Sequence, residues 1–175
     1  MHDTERTANL LGAAALALTD LALGDATRAG RLSASSAAAL VSLVAHPGLS
    51  VSELGRRVRL TQPAAARMVD SLEADGLVER VQSTVNRRWT TVRPTQHGSR
   101  IAEQLLTARN APLVDTVAKL DEGDQQALAI LLEKILPQLY DDVGDGQRIC
   151  RLCDRQKCTR SAPCPVGQAE RAQEM

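Results

Sequence analysis

The residues best suited to chemistry are four cysteines close to the C-terminal end of the sequence. They lie in the stretch CRLCDRQKCTRSAPCP with the spacing C-x2-C-x4-C-x5-C, and the rest of the chain has none. Thiolates are strong ligands for soft metals, and four of them so close in sequence can converge on one centre. The sequence therefore predicts a metal centre whose ligands are Cys150, Cys153, Cys158 and Cys164.

The residue types leave the occupant of this centre undecided, with a slight preference for an iron–sulfur cluster over zinc. Such clusters take four cysteines, and a Cys-Pro pair often ends the run, as Cys164-Pro165 does here. Structural zinc sites more often use two C-x2-C knuckles, and only Cys150–Cys153 is one. A disulfide switch and an inert tail are the other readings. Neighbouring cations would lower the thiol pKa values and favour a redox role; they are Arg148, Arg151, Arg155, Lys157 and Arg160.

The charge of the chain is unevenly distributed. Lys and Arg balance Asp and Glu at 21 each, so the net charge is zero. Residues 51–100 nevertheless contain nine arginines against five acidic residues, whereas residues 101–143 are strongly acidic. The basic middle is therefore a candidate surface for binding a polyanion.

The spacing of apolar residues predicts four helices in the first half of the chain. They cover residues 5–28, residues 33–45, a short helix from Val51, and the stretch TQPAAARMVDSLEADG. Ser50 and Glu53 form a capping box for the short helix, and Gly76 suits the left-handed end of the next one. Two capped helices joined by a brief turn predict a helix-turn-helix.

The pattern then changes to the alternation typical of strands. LVERVQ and RRWTTVRP alternate apolar and polar residues around STVN, which predicts a β-hairpin. Helical spacing returns over residues 99–119 and from Asp121 to about Tyr140, and Gly144 and Gly146 suggest a flexible joint. The expected fold is mainly α, of the α+β class. It is a winged helix-turn-helix with long N- and C-terminal helices and one β-hairpin wing.

In a helix-turn-helix the second helix enters the major groove, and residues near its N-terminus meet base edges. The candidates here are Thr61, Gln62, Ala64, Ala65 and Arg67. Gln62 has the donor and acceptor pair that matches adenine, and Arg67 can reach guanine or a phosphate. This helix is therefore the predicted recognition helix.

Arginines on either side of the recognition helix add further candidate contacts. Arg87 and Arg88, with Asn86, lie at the predicted hairpin tip, where an arginine can enter a narrow minor groove. Three more are placed to contact backbone phosphates; they are Arg56, Arg57 and Arg59.

The segments VSELGRRVRLTQPAAARMVDSLEADGLVER and NRRWTTVRPTQHG resemble the MarR (multiple antibiotic resistance regulator) family of transcription factors. The resemblance runs from about residue 5 to residue 141. The family's wing usually begins Asp-Arg-Arg, and Asn86 replaces that Asp here. The resemblance implies a homodimer built from the terminal helices, which binds a palindromic operator in double-stranded DNA. It also implies repression that a small molecule or an oxidant relieves.

These inferences predict a MarR-like winged-helix domain over residues 1–143 and a cysteine-rich segment over residues 144–175. Within the domain the DNA-binding core covers about 33–98, and the dimerisation helices cover about 5–28 and 99–141. A change at the cysteine centre is expected to alter the order of residues 144–170 and the spacing of the two DNA-binding heads.

Other classes of function find little support in the sequence. A phosphate-cradling glycine loop, a nucleophile elbow and a dinucleotide fingerprint are all missing, which predicts a protein that is not an enzyme. No apolar run is expected to be long enough to span a bilayer. The apolar N-terminal stretch lacks a basic leader and contains Asp20, so a buried mature helix, no membrane association and a cytoplasmic location are expected. The alternatives are a winged-helix module that binds another protein, and a redox protein with a structural zinc site.

Overall fold

The computed structural model describes residues 3–82 and 90–173, without the side chains of 25–30. In this part of the chain the elements are α1 (Thr4–Gly30), α2 (Ala34–Ala45), α3 (Val51–Arg57), α4 (Gln62–Ala74), β1 (Val78–Gln82), β2 (Thr90–Pro94), α5 (Gln96–Val117), α6 (Glu122–Val143), α7 (Gly146–Ile149), α8 (Arg155–Cys158) and α9 (Pro165–Gln173). Their order confirms the predicted winged helix-turn-helix.

Side-chain caps determine where several helices begin. Ser50 Oγ accepts a hydrogen bond from the Glu53 amide at 3.2 Å, as the capping-box pattern predicts. The Glu53 carboxylate does not complete the box but pairs with Arg57 one turn later. Thr61 occupies the N-cap position of α4, although its side chain makes no capping hydrogen bond. The N-terminus of the predicted recognition helix is therefore less fully capped than that of α3.

The helix-turn-helix depends on a close approach between α3 and α4. Gly55 of α3 faces Ala65 of α4, and a Cβ at Gly55 would lie 2.7 Å from the Ala65 Cβ. Arg59, in the turn between them, has φ +57°, a left-handed backbone conformation that residues with a Cβ rarely adopt. Leu54 and Leu72 of these helices are almost completely buried and belong to the hydrophobic core.

The hairpin is antiparallel, with Val78 opposite Pro94 and Gln82 opposite Thr90. Leu49 adds a third backbone segment through an isolated bridge to Val92. Sequence analysis missed this bridge because a single paired residue has no periodicity to detect. The bridge ties the wing to the chain just before the helix-turn-helix.

Helix α5 begins at Gln96, three residues before the predicted start. The Thr95 hydroxyl explains this difference, because it accepts a hydrogen bond from the Gly98 amide and donates one to the carbonyl of Gly76. A Cβ at Gly98 would collide with the Leu77 carbonyl oxygen, so only glycine allows α5 to start against the end of the preceding turn. Helix α5 then packs along α1.

Helices α1 and α6 leave much apolar surface uncovered in the single chain. Large side chains that are at least 43% exposed include Leu10, Leu11, Leu16 and Leu21 on α1 and Ile130, Leu131, Leu132 and Leu139 on α6. The stretch Thr4–Gly24 is long and apolar enough to cross a membrane by length and composition, which corrects the expectation that the chain has no such run. The sequence had also suggested that this helix is buried, but only 6% of its apolar window is.

The C-terminal segment folds back on the domain, and it is neither an unstructured tail nor a loose appendage. Gly144 ends α6 in a left-handed conformation, with φ +66°. Gly146 is buried, and a Cβ there would lie 3.2 Å from Val166 Cγ1. These two glycines therefore form a tight turn, which corrects the prediction of a flexible joint. Helix α9 packs on α6, and Leu152 joins the core of the winged-helix domain.

Candidate nucleic-acid interface and cysteine centre

The N-terminal half of α4 presents most of its predicted DNA contacts to solvent. Thr61, Gln62 and Arg67 are exposed and Ala64 is half-buried. Ala65 is completely buried, because its methyl group packs against Gly55 of α3. The prediction that Ala65 meets DNA is therefore wrong, and its role is to let the two helices pack closely.

The strands of the wing lie beside this surface, and its predicted tip is not described. Asn86, Arg87 and Arg88 lie outside the described residues, so their predicted contacts stay predictions. In β1 the Arg80 guanidinium bridges two carboxylates of α4, those of Asp70 (Nη2 to Oδ1, 2.6 Å) and Glu73. These carboxylates raise the pKa of Arg80 above its usual value, with the hydrogen bond to Asp70 as the main cause. The bridge holds the wing strand against the recognition helix.

The three arginines of the α3 region divide into two groups. Arg56 and Arg59 are exposed and remain available to phosphates. The side chain of Arg57 is only 13% exposed, and its Nη2 lies 3.2 Å from Glu53 Oε1. Its Nη1 donates to Gln147 Oε1 at 3.4 Å, so its guanidinium faces the C-terminal segment. The suggested phosphate contact for Arg57 stays a prediction, with less of this side chain available than of Arg56 and Arg59.

The four cysteines face one cavity of about 350 Å³, between α7, α8 and the start of α9. Their thiols form a ring of neighbours: Cys150 interacts with Cys153 and Cys164, and Cys158 interacts with the same two. All four are free thiols. The fold thus brings together the complete set that the spacing singled out.

The pKa values of the thiols shift in different directions because hydrogen bonds between the thiols, burial and nearby arginines act on each of them differently. A hydrogen bond from Cys153 lowers the pKa of Cys150, and nearby Arg155 lowers it further. The same hydrogen bond, together with burial, raises the pKa of Cys153. Burial raises the pKa of Cys158, although this is the one exposed cysteine. Cys150 is therefore the thiol of the Cys150–Cys153 pair that ionises first.

Two aspartates shape the loops that carry the cysteines. Asp145 accepts from the Arg148 amide at the start of α7, and Asp154 accepts from the Lys157 amide at the start of α8. Each of these aspartates is a helix N-cap four or five residues before a cysteine. Sequence analysis overlooked this signal for the short helices that carry Cys150 and Cys158. Cys164 precedes α9, and its Sγ accepts a hydrogen bond from the Gly167 amide at 3.5 Å.

One side chain connects the cysteine segment with the helix-turn-helix. Gln147 Oε1 accepts hydrogen bonds from Arg57 Nη1 of α3 and, at 2.6 Å, from Arg155 Nη2 of α8. Arg155 lines the cysteine cavity, and His46 at the end of α2 lies beside it. This contact was not predicted, because it joins residues ninety positions apart.

The ring of thiols does not form a single-ion site. Among residues 3–82 and 90–173, no group of three or more His, Cys, Asp or Glu side chains is arranged to hold one metal ion. The cysteines interact as neighbours in pairs around the cavity.

Comparison with protein families and curated relatives places the fold in a known group. Residues 32–90 match the model of the MarR family. The chain is 30% identical over 96 residues to the HTH-type transcriptional repressor MdtR of Bacillus subtilis. This alignment covers 55% of this chain and 62% of MdtR. It is 25% identical over 103 residues to the HTH-type transcriptional regulator PapX of Escherichia coli, covering 59% and 63%. The chain thus spans less than two thirds of either relative. Both are named as regulators of transcription, which agrees with the prediction of a protein that is not an enzyme.

Solved structures share the fold at low sequence identity. YusO of Bacillus subtilis superposes with a TM-score of 0.63 at 23% identity, over 77% of this chain and 97% of that one. RV1404 of Mycobacterium tuberculosis gives 0.69 at 18%, over 77% and 93%. A point mutant of Staphylococcus aureus MepR, bound to an oligodeoxyribonucleotide, gives 0.60 at 18%, over 76% and 97%. These matches show that residues 32–90 of the chain resemble the MarR family, and that the chain shares the winged-helix fold of these structures and continues into a four-cysteine segment.

Proposed function

We propose that the protein is a sequence-specific DNA-binding transcriptional regulator, a repressor that acts as a homodimer in the cytoplasm. The observation that carries this proposal is the exposed N-terminal half of α4, where Gln62 and Arg67 face solvent. This helix is the second of a helix-turn-helix, the position that enters the major groove. The Arg80 bridge sets the wing beside it, so that both elements can engage one stretch of duplex.

The named relatives support this assignment. MdtR is called a repressor and PapX a regulator of transcription. The MepR mutant with the same fold was solved with an oligodeoxyribonucleotide. A palindromic operator follows from a twofold protein, because each half-site then meets an identical recognition helix.

The exposed leucines of α1 and α6 support the homodimer. Exposed apolar surface on this scale is typical of interfaces between protein chains. The two helices lie on the N- and C-terminal sides of the winged-helix core in the sequence. These are the positions that the resemblance to the MarR family implies for dimerisation helices. Because the same α1 surface satisfies the composition of a membrane helix, the oligomeric state in detergent-free buffer tests this point directly.

Binding to DNA is best tested by selecting duplexes from a random pool and measuring affinity across salt concentrations. Arg67→Ala should weaken binding, and Gln62→Ala should relax preference at one base position by about 1–3 kcal/mol. Lys119→Ala, which removes an equally exposed cation beyond the end of α5, is the matched control. The chain should be dimeric by analytical ultracentrifugation. A monomer that ignores duplex DNA even in dilute buffer would refute the proposal.

The cysteine segment supports a sensing role within this regulator. It packs on α6, which carries part of the apolar dimer surface, and contacts α3 through Gln147. Gain, loss or oxidation of the centre would therefore act on both the dimer and the DNA-binding head. The test compares operator affinity of the native chain with a variant in which all four cysteines are serine, under air, reductant and chelator. Equal affinities in all conditions would exclude the sensing role.

A small-molecule effector has a candidate site of its own. A cavity of about 340 Å³ lies between α1, α5 and α7, a size that suits small ligands. Its walls are largely apolar, and Arg109 and Arg151 supply positive charge. An anionic, mainly apolar molecule is the ligand class that this lining fits.

A further inference from the structure

We propose that the four cysteines are a site of reversible oxidation, in which Cys150 bonds to Cys153 and Cys158 bonds to Cys164. Both disulfides lie within one chain, and the oxidant is a peroxide. The inference deepens the sensing role of the proposed regulator and rests on that role only for its effect on DNA binding. The observation that carries it is the pairwise contact of four free thiols around one cavity.

The contacts between the thiols are those that disulfide formation requires. Cys150 interacts with Cys153 and Cys164, and Cys158 interacts with the same two. Within residues 3–82 and 90–173, no three His, Cys, Asp or Glu side chains are grouped so as to hold a metal ion. A structural metal ion needs several ligands around one point, whereas a disulfide needs only two sulfurs that meet. The ring of pairs therefore meets the requirement of disulfides.

The backbone assigns one of the two pairs. The Cys153 amide donates to the Cys150 carbonyl at 2.9 Å, which closes a turn of four residues. Such a turn brings its first and fourth Cα atoms within about 7 Å, and a disulfide spans about 4.4–6.8 Å between its Cα atoms. Cys150 and Cys153 can therefore bond with little movement of the main chain. The remaining pair is Cys158 and Cys164, which are also in contact.

Each pair contains one sulfur that is suited to meet the oxidant. Cys158 is the exposed member of the four, so a peroxide in solution reaches this thiol without passing through the protein. In the other pair, the hydrogen bond from Cys153 lowers the pKa of Cys150, which favours the thiolate that reacts. Cytosolic thiols stay reduced until an oxidant arrives, so the reduced ring is the resting form.

The reaction balances within each pair. One thiolate attacks hydrogen peroxide, so that an S–O bond forms, the O–O bond breaks, and the departing hydroxide takes up a proton and leaves as water. The partner thiolate then attacks the sulfenic sulfur, so that the S–S bond forms, the S–O bond breaks, and a second water leaves. Two electrons pass from the sulfurs to the peroxide oxygens, and the two thiol protons end in water. A dithiol reductant reverses the change by thiol–disulfide exchange.

Oxidation reshapes the part of the chain that contacts the helix-turn-helix. The S–S bond is about 2.05 Å long, shorter than a contact between sulfurs that are not bonded. Cys150 directly follows α7 and Cys158 ends α8, so the bonds draw these two helices inward. Gln147 of α7 is the residue that accepts a hydrogen bond from Arg57 of α3.

Trypsin makes the pairing measurable, because it cleaves between all four cysteines. Its sites are Arg148, Arg151, Arg155, Lys157, Arg160 and Arg171. The full-length chain is reduced, freed of reductant and treated with hydrogen peroxide, and its free thiols are counted before a non-reducing digest is analysed by mass spectrometry. We expect all four thiols to disappear, with about two peroxides consumed per chain. Peptide 149–151 should be linked to 152–155, and peptide 158–160 to 161–171.

Two double variants test whether contact in the ring decides the pairing. Cys150→Ser with Cys153→Ser leaves Cys158 and Cys164, which are neighbours, and should form one disulfide. Cys150→Ser with Cys158→Ser leaves Cys153 and Cys164, at opposite corners of the ring, and should form none under the same treatment. Each variant removes two thiols from the same segment, and circular dichroism before oxidation shows whether both fold. Equal oxidation of the two would overturn the inference.

Other outcomes would also overturn it. These are thiols that survive peroxide, thiols that pass on to sulfinic acid, disulfides that join two chains, and a purified chain whose cysteines hold stoichiometric metal and react only after its removal. Operator binding separates this inference from the proposed function. Disulfides mapped in a chain that ignores duplex DNA contradict only the regulator, whereas a chain that binds its operator but keeps its thiols in peroxide contradicts only the oxidation.

Discussion

Arg57, the last residue of the first helix of the helix-turn-helix, donates a hydrogen bond to Gln147 of the cysteine-rich segment. Gln147 Oε1 accepts at the same time from Arg155, which lines the cysteine cavity. One amide oxygen thus joins the cysteine-rich segment to the helix-turn-helix. The bond from Arg155 is the shorter of the two, at 2.6 Å against 3.4 Å for Arg57, and hydrogen bonds from charged donors are among the stronger ones.

Gln147→Ala should uncouple the centre from DNA binding. We expect the ratio of operator affinities with the cysteines reduced and with the cysteines oxidised to fall toward one, because couplings of this kind amount to about 1–3 kcal/mol. Fluorescence anisotropy with a labelled operator measures both affinities. Gln168→Ala, in α9 of the same segment, is the control and should leave the ratio unchanged. A ratio in Gln147→Ala equal to that of the native chain would show that the signal travels elsewhere.

Arg59→Gly should separate stability from DNA binding. The residue has φ +57°, which costs a residue with a Cβ about 1–2 kcal/mol. Glycine removes that cost, and its greater freedom in the unfolded chain offsets part of the gain. The free energy of unfolding should therefore rise modestly in urea titrations. If Arg59 contacts a phosphate, the salt dependence of binding should fall by about one unit. Weaker folding with unchanged DNA affinity would contradict both parts.

Gly55→Ala should destabilise the helix-turn-helix. The new methyl group would lie 2.7 Å from the Ala65 Cβ, so α3 and α4 must separate. Overpacking of this kind costs about 1–3 kcal/mol, and thermal unfolding measures it.

Gly12→Ala is the matched control for that substitution. Gly12 lies within α1 with no atom near the position of its Cβ. Alanine is the better helix former by about 0.5–1 kcal/mol, so the control should change stability in the opposite direction. Equal effects of the two substitutions would show that packing at Gly55 is not what matters.

His46 should make stability depend on pH. Burial lowers its pKa below 6.5, and Arg155 and Arg57 lower it further. The unfolded chain therefore binds a proton to this imidazole more readily than the folded chain. The contribution of neutral His46 to the free energy of unfolding should be fully present above pH 6.5, and the free energy of unfolding should decrease as the pH falls below that value. Urea titrations from pH 8 to pH 5 measure the profile, and His46→Gln should flatten it. A variant profile that falls as steeply as the native one would assign the effect to other groups.

The wing shows how far a local pattern reaches. Alternation predicted both strands, and capping residues predicted the helices before them, because each signal lies within a few residues of the element it sets. The single bridge from Leu49 to Val92 has no such signal. The burial of Ala65 was likewise invisible, because an alanine on a helix looks the same whether a base or another helix faces it.

The sequence alone determined the winged-helix order, the basic surface and the four cysteines as one set, because each of these depends on residue type and short spacing. Only the tertiary structure decided that the cysteines border a common cavity, that Gly144 and Gly146 turn the segment back, and that Gln147 meets Arg57. The reason is physical. Periodicity and capping act between neighbours along the chain, whereas packing depends on how distant helices fit together in space.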